Sequence, residues 1–345
     1  MTYDPGRFRD YFEHAFTYHA GFLRNVARYG GSPAILDPVS DRSWTYAELA
    51  ADVARAANAL AQRGVGRGDR VVYQLPNSPE FAILYLATQR LGAISVPANF
   101  RLAPGETAHI LRDSTPKIFI FAEPYATDAL AAVELSGQHP ELLVVGTGTA
   151  GPDAPRPDAP TGAVTGGIPG FAAALASAGG EDPELPADFS SYEETTRLYT
   201  SGTTGMPKGV PLPSIVEIMS AHDVIMHFPL TPFDRTLNMT PWFHRGGLYS
   251  GGPNPVFYVG GSVVPLPAFD AATVLDWVPA HGITFLIGAP TTLAMLADQQ
   301  EERPRDLGGL RGIVTMGAPL TRAAALRYQR VLSPRIFNGY GTTEA

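Results

Sequence analysis

Short runs rich in β-branched and aromatic residues alternate with capped, helix-periodic stretches along most of this chain, and that alternation limits its fold more than any other feature. Thr45 and Glu48 form a T-x-x-E capping box, after which Leu49, Val53, Ala57 and Leu60 recur at helical spacing until Gly64. Arg70 to Leu75 reads as a strand. Ser78 then caps a second helix with Pro79 at its first position, the apolar run stops at Gly92, and Ile94 to Pro97 reads as the next strand. Ile118 to Phe121 and Leu142 to Val145 are further β-rich runs. Later in the chain a strand leads into a Gly- and Thr-rich tract, and Ser214 with Glu217 reads as another capping box. Strand-like runs at Thr236 to Met239, Ser262 to Leu266, Ile283 to Ile287 and Gly312 to Met316 follow, spaced by helical patterns such as Ala271 to Ala280. This rhythm predicts an α/β fold with largely parallel sheets flanked by helices.

The rhythm breaks once. Between Gly146 and Ala187, 26 of 42 residues are Gly, Pro or Ala, too little bulk to bury a core, so the tract reads as a surface connection with one short helix near Phe171 to Ser177. The expected organisation is a first α/β lobe over 1–146, a connection over 147–188 and a second α/β lobe over 189–345. Gly146, Gly148 and Gly151 match G-x-G-x-x-G after a strand. Pro152, Pro155, Pro157 and Pro160 forbid the helix that a dinucleotide fingerprint must open, so that match carries no ligand.

Composition removes several function classes. A chain of 345 residues with 45% hydrophobic and 17% charged residues has room for more than one core, and it holds no run of eighteen apolar residues that would span a bilayer. The net charge of −8 and the lack of a Lys/Arg cluster argue against nucleic acid and anionic membranes as partners. With no cysteine, disulfides, thiolate metal sites and a cysteine nucleophile are excluded together. No G-x-S-x-G elbow occurs, and the pairs His14/His19 and His222/His227 are each five apart, a poor spacing for chelation from one helical face. Met1 to Asp10 lacks an apolar signal segment, which leads to an expected cytoplasmic location.

The tract Tyr199 to Val210 carries the chemistry. Thr200, Ser201, Thr203 and Thr204 supply hydroxyls, Gly202, Gly205 and Gly209 let backbone N–H groups turn toward one concavity, and Lys208 adds a point charge. Together they describe a cradle for a polyphosphate. A Walker A loop is excluded, because Met206 and Pro207 separate Gly205 from Lys208, and Gly209 rather than Ser or Thr follows the lysine.

In order and composition this tract resembles the phosphate-binding signature of the adenylate-forming (ANL) superfamily, which includes acyl-CoA synthetases, carrier-protein-loading adenylation domains and firefly-type luciferases. The resemblance extends from Ser43-Trp44-Thr45-Tyr46-Ala47-Glu48-Leu49 through Pro241-Trp242-Phe243-His244 to Gly339-Tyr340-Gly341-Thr342-Thr343-Glu344. Pro213-Ser214 departs from the Thr-His pair usual after the loop. The resemblance implies an ATP- and Mg2+-dependent activation of a carboxylic acid to an acyl-adenylate, followed by thioester formation with CoA. Thr200 to Gly205 would grip the β- and γ-phosphates beside Lys208, Thr343 would meet the α-phosphate, and Glu344 would hold the magnesium. Gly317-Ala318-Pro319 and Asn338-Gly339-Tyr340, with Gly341 and Thr342 following, would sandwich adenine.

The resemblance places the acid at Trp242, Phe243 and His244. Relatives that activate amino acids tend to carry an aspartate where His244 stands, so the expected substrate is a plain carboxylic acid. Gly246, Gly247, Gly251, Gly252 and Gly288 are read as leaving volume for a bulky alicyclic, polycyclic or aryl acid. An acyl carrier protein is the alternative acceptor, an ATP- or acyl-AMP-binding protein without turnover is the non-enzyme alternative, and a homodimer stays open. In the family, further sequence adds an aspartate on the ribose and a mobile C-terminal domain with an assisting lysine. The chain is therefore expected to be the N-terminal adenylation portion only, either a fragment of a longer enzyme or a natural half-enzyme, and crippled by itself.

Overall fold

The computed structural model describes residues 4–146, 165–179, 183, 185–200 and 205–344. Its strands are β1 Pro33–Asp37, β2 Arg42–Thr45, β3 Arg70–Gln74, β4 Ile94–Pro97, β5 Ile118–Ala122, β6 Glu141–Val145, β7 Glu194–Thr200, β8 Lys208–Pro213, β9 Arg235–Asn238, β10 Ser262–Val264, β11 Phe285–Gly288, β12 Gly312–Thr315 and β13 Ile336–Asn338. They form a seven-stranded sheet in the order β13-β12-β11-β9-β10-β1-β2 and a six-stranded sheet in the order β6-β5-β3-β4-β7-β8. Pairing is parallel throughout except for β1 with β2 and β7 with β8, each at a sheet edge.

Period-two alternation explains why both sheets are covered on both faces. Val71 and Tyr73 of β3, and Ile118 and Ile120 of β5, belong to one hydrophobic cluster, while Val72, Phe119 and Phe121 belong to another. In the larger sheet Phe285 and Ile287 join the first cluster and Leu286 a third. A strand buried on both faces reads as a continuous apolar run, as these do. The first cluster is shared by the two sheets and takes in Leu49 and Val53, Phe81 to Ala87, and Ile218, so the helices Tyr46–Ala61, Pro79–Leu91 and Ser214–His227 lie in a common layer. Pro79–Leu91 is buried at every position but Glu80, as expected of a helix that is apolar all round.

The predicted capping signals hold at three ends. Thr45 and Glu48 form the reciprocal box, Ser78 accepts from the Phe81 N–H with Pro79 next to it, and Gly92 closes its helix with φ +63°. The short helix Phe171–Ser177 is also present. Ser214 and Glu217, by contrast, are not a capping box. The cap position is Pro213, the Ser214 hydroxyl accepts from the Tyr18 N–H at 3.1 Å, and Glu217 is wholly buried. Tertiary donors have taken both groups away from the helix end.

The strand pairing also crosses the expected lobe boundaries. β7 and β8, from the tract after 189, extend the sheet of β3 to β6, through Ser95↔Thr196; β1 and β2, from before 146, extend the sheet of β9 to β13, through Ile35↔Val263. Parallel strands are joined through long crossovers, so nearness in sequence does not set which sheet a strand completes.

His19 illustrates what the shared layer imposes on ionisable groups. Arg90 Nη1 lies 3.0 Å from its Nε2, and since a guanidinium only donates, that nitrogen carries the lone pair and the ring is neutral. Burial first, and the Arg90 charge second, hold its pKa at about 3 against an ordinary 6.5. The unfolded chain then binds the extra proton. The His19 contribution is complete above pH 6.5 and is lost as pH falls toward 3, with a slope of up to ~1.4 kcal/mol per pH unit. Urea unfolding between pH 7 and 5 should therefore show a shallower acid limb for His19→Gln than for the wild type; parallel limbs would remove His19 as the cause.

Candidate active site

Four of the segments singled out in the sequence lie at the carboxyl ends of parallel strands of the larger sheet. Met239 to Gly247 follows β9, Met316 to Pro319 follows β12, Gly339 to Glu344 follows β13, and Gly288 ends β11. Parallel pairing brings these ends to one edge of the sheet, the usual place for a ligand in an open α/β sheet. There a cleft of about 700 Å³ opens. One side is built from Met316, Gly317, and Asn338 to Thr343, and the other from the helix Ser214–His227 and the short helix Arg245–Tyr249.

The two segments expected to hold adenine are brought together. Asn338 pairs with Thr315, and the Gly339 N–H donates to the Thr315 carbonyl at 2.9 Å, which fixes the start of Gly339-Tyr340-Gly341 beside Gly317. Gly317 has φ +84°, a conformation that favours glycine. Ala318 and Pro319 are exposed on the same turn, and the Tyr340 ring is 97% exposed at the cleft. Thr342 and Thr343 line the cleft, and Glu344 is exposed at its end of the chain.

The loop with Trp242, Phe243 and His244 is anchored from both sheets. The Trp242 N–H donates to Asn77 Oδ1 at 2.7 Å, and Asn77 Nδ2 reaches the Asn238 and Thr240 carbonyls at 3.4 and 3.3 Å. Asn238 Nδ2 donates to the Gly246 and Gly247 carbonyls at 3.1 and 3.0 Å. Asn77 sits just beyond β3 in the smaller sheet and Asn238 ends β9 in the larger one, so the loop is clamped between them. Trp242 and Phe243 are buried in the core, edge-on to Phe81 and Phe100 with ring centres 5.6 Å apart in each pair. His244 heads the Arg245–Tyr249 helix with one edge in solvent and its ring 4.3 Å from that of Phe243; the protein packed about it lowers its pKa. A histidine so placed is neutral at neutral pH.

Four of the five glycines read as pocket space have another use. A Cβ on Gly247 would lie 1.8 Å from the Pro241 carbonyl oxygen, and one on Gly252 would lie 1.9 Å from the Gly247 carbonyl oxygen. At Gly251 it would meet Ile287 at 2.7 Å, and at Gly288 it would meet Met239 and Thr292 at 2.5 Å. These positions are closed by backbone and side chains. Gly246 alone of the five lines the cleft, with Met316 Sδ at an ordinary 3.5 Å.

At the phosphate tract, Thr200 ends β7 and pairs directly with Lys208, the first residue of β8. Ser201, Gly202, Thr203 and Thr204 lie outside the described residues, as do Gly148 and Gly151. Gly205 has φ +97°, the Pro207 carbonyl is 2.9 Å from His109 Nε2, and the Tyr199 hydroxyl donates to Asp113 at 2.5 Å. These contacts tie the base of the hairpin to the helix Pro104–Ser114 and leave Lys208 exposed. Thr200, Gly205 and Lys208 are not among the described residues that line the cleft.

Sequence reasoning missed Asn77, Asn238, Glu217 and Arg245. Asn77 and Asn238 carried one usable signal, a lone amide where an apolar strand ends and a motif loop or helix begins. Arg245 carried another, a cation next to His244. Glu217 carried a misleading one.

The family of AMP-binding enzymes matches residues 22–345. A feruloyl-CoA synthase of Amycolatopsis sp is 33% identical over 302 residues, which are 87% of this chain and 54% of that protein. An indoleacetate–CoA ligase of Aromatoleum aromaticum is 32% identical over 323 residues, 93% of this chain and 59% of that protein. Among solved structures, the inhibitor-bound N-terminal domain of FACL13 from Mycobacterium tuberculosis superposes with a TM-score of 0.81 at 26% identity, over 95% of this chain and 76% of that one. The chain thus spans little more than half the length of these two curated relatives, and it has the fold of an N-terminal domain in this group.

Proposed function

Because the chain belongs to the AMP-binding enzyme family, we propose that it binds ATP and activates a carboxylic acid as its acyl-adenylate, the first half-reaction of an acyl-CoA ligase. The observation that carries this reading is the cleft at the carboxyl edge of the larger sheet, where Gly317 and Asn338 to Thr343 face Arg245 and Gly246, the residues that directly follow His244. In the step proposed, a carboxylate oxygen attacks the α-phosphorus and pyrophosphate leaves with its bond electrons. Lys208 and the hydroxyls of Thr200 to Thr204 serve the departing phosphates, where charge-assisted bonds are strongest. Thr343 is assigned to the α-phosphate, Gly317 to Pro319 and Asn338 to Gly341 to adenine, and Tyr340 to its aromatic face. Trp242 and Phe243 back the acid site from the core, and Gly246 is the glycine that leaves space at the cleft. His244, neutral at neutral pH, is assigned to the reacting end of the acid, where it adds no net charge.

Among the described residues no three His, Asp or Glu side chains cluster to hold a metal. Glu344 is exposed and carries one carboxylate, which suits magnesium, a cation normally held by one or two carboxylates plus phosphate oxygens. Bound there, magnesium would neutralise charge on the triphosphate. The acid is read as an aryl acid, supported by the two relatives, whose names specify feruloyl and indoleacetate groups. CoA is the proposed acceptor: its thiol would attack the acyl carbonyl and AMP would leave.

Acid-dependent exchange of labelled pyrophosphate into ATP is the deciding measurement. Since the chain matches only 54% and 59% of the relatives' length, binding is expected to exceed turnover. Calorimetry should show ATP bound by residues 1–345, while exchange runs on the order of a hundredfold to a thousandfold below that of a full-length ligase, the range for one lost transition-state donor. No ATP binding by a folded sample would sink the adenylation reading. Brisk acyl-CoA synthesis by these residues would overturn the division of labour.

A further inference from the structure

Glu217 is a carboxyl group without solvent exposure, and the adenylation chemistry does not use it. Its Oε2 accepts from the Tyr85 hydroxyl at 2.6 Å and from Asn254 Nδ2 at 2.9 Å, and its Oε1 accepts from the Tyr249 hydroxyl at 2.8 Å. The donors arrive from three helices, Pro79–Leu91, Pro253–Val259 and Arg245–Tyr249. The helix that carries Glu217 also carries Met219 and Ser220 into one wall of the cleft. The helix that carries Tyr249 supplies the adjoining wall, with Arg245 and Gly246. The Arg245 guanidinium lies 4.7 Å from the centre of the Tyr249 ring and donates to Ser220 Oγ at 3.1 Å. Glu217 and Ser220 are one helical turn apart. The two walls are therefore joined twice, once in the buried layer by Glu217 to Tyr249 and once at the cleft by Ser220 to Arg245.

A carboxyl is a costly filling for that volume. An apolar side chain of similar size would occupy it without desolvating an acid, and burial here does raise the Glu217 pKa. What the carboxyl adds is direction, because two oxygens that accept from three placed donors fix the spacing of the elements bearing them. We infer that Glu217 is a positioning residue for the cleft: through Tyr249 it fixes how the Arg245–Tyr249 helix lies against Ser214–His227, and so how far that side of the cleft stands from Met316 and Asn338 to Thr343 and the width of acid the cleft accepts. The inference rests on the reading of this cleft as the site of the carboxylic acid.

The test titrates the protein, saturated with AMP, with benzoate, 2-naphthoate and octanoate, for the wild type, Glu217→Gln, Glu217→Leu and Tyr249→Phe. Thermal unfolding and AMP affinity are measured alongside. The wild type should separate the three acids. Glu217→Gln, which keeps an acceptor oxygen, should hold that order with affinities within about threefold. Tyr249→Phe and Glu217→Leu should weaken the preferred acid by about five- to tenfold and compress the spread among the acids, with AMP affinity within about twofold. A merely structural role would lower the affinities for AMP and acid together, and that outcome overturns the inference. So does a wild-type spread in both variants. If Glu217→Leu fails to fold, Tyr249→Phe decides alone, since it removes one hydroxyl and keeps the ring. A wild type that binds AMP and none of the three acids overturns the reading of the cleft, and the inference with it.

Discussion

Replacing Gly247 with alanine should cost about 3 kcal/mol or more and disorder the loop that presents His244. The added Cβ would lie 1.8 Å from the Pro241 carbonyl oxygen and 2.4 Å from its carbon, and backbone atoms cannot rotate aside. Overpacking against movable side chains typically costs about 1–3 kcal/mol, so a clash with fixed backbone belongs at or above the top of that range. Gly246→Ala is the matched control. Its nearest neighbour is Met316 Sδ at 3.5 Å, and its place in a helix makes alanine acceptable, so a change within about 1 kcal/mol is expected. Urea unfolding of the two variants side by side decides the matter, and equal stabilities would mean that the Pro241 contact is not what requires glycine.

The second large effect belongs to Lys208. On the adenylation reading, Lys208→Met should weaken ATP on the order of 10- to 100-fold while adenosine affinity stays unchanged, the range for a charge-assisted hydrogen bond lost from a phosphate. Lys208 is exposed and opens β8 opposite Thr200, so the variant should fold as the wild type does. The gap between wild type and variant should also narrow in high salt, since an exposed cation is screened. Calorimetry with ATP and with adenosine separates the cases: if both ligands lose equally, or ATP loses nothing, the lysine does not serve the phosphates.

Much of this architecture was legible because its signals are local. A capping box needs residues three apart, a stop needs one glycine, and a doubly covered strand needs a short apolar run; Thr45 with Glu48, Gly92, and Ile118 to Phe121 each met those terms. The candidate site was legible by resemblance. Gly317-Ala318-Pro319 and Gly339-Tyr340-Gly341, routine turns by composition, match two segments of the family, and the structure sets Gly317 and Gly339 to Gly341 at one cleft.

Glycine itself was ambiguous. Gly246 and Gly247 are neighbours with the same letter, yet one faces a cleft and the other faces a carbonyl oxygen. Glu217 was ambiguous in the same way: Ser214 and Glu217 have the spacing of a cap, and local rules cannot say that Tyr18 will claim the serine while Tyr85, Tyr249 and Asn254 claim the acid.

The α/β class, the positions of most strands, the capped helix starts at Thr45 and Ser78, and the Gly317 and Gly339 to Gly341 segments that meet at the cleft could be read from the amino-acid sequence. Those follow from preferences acting over a few neighbouring residues. Tertiary structure alone decided that β1 and β2 complete the larger sheet and β7 and β8 the smaller, that Asn77 and Asn238 clamp the His244 loop between them, and that Glu217 lies beneath the cleft. Parallel strands pair across long crossovers and a buried carboxyl is held by donors from distant helices, so the partners that fix these features are near only in space.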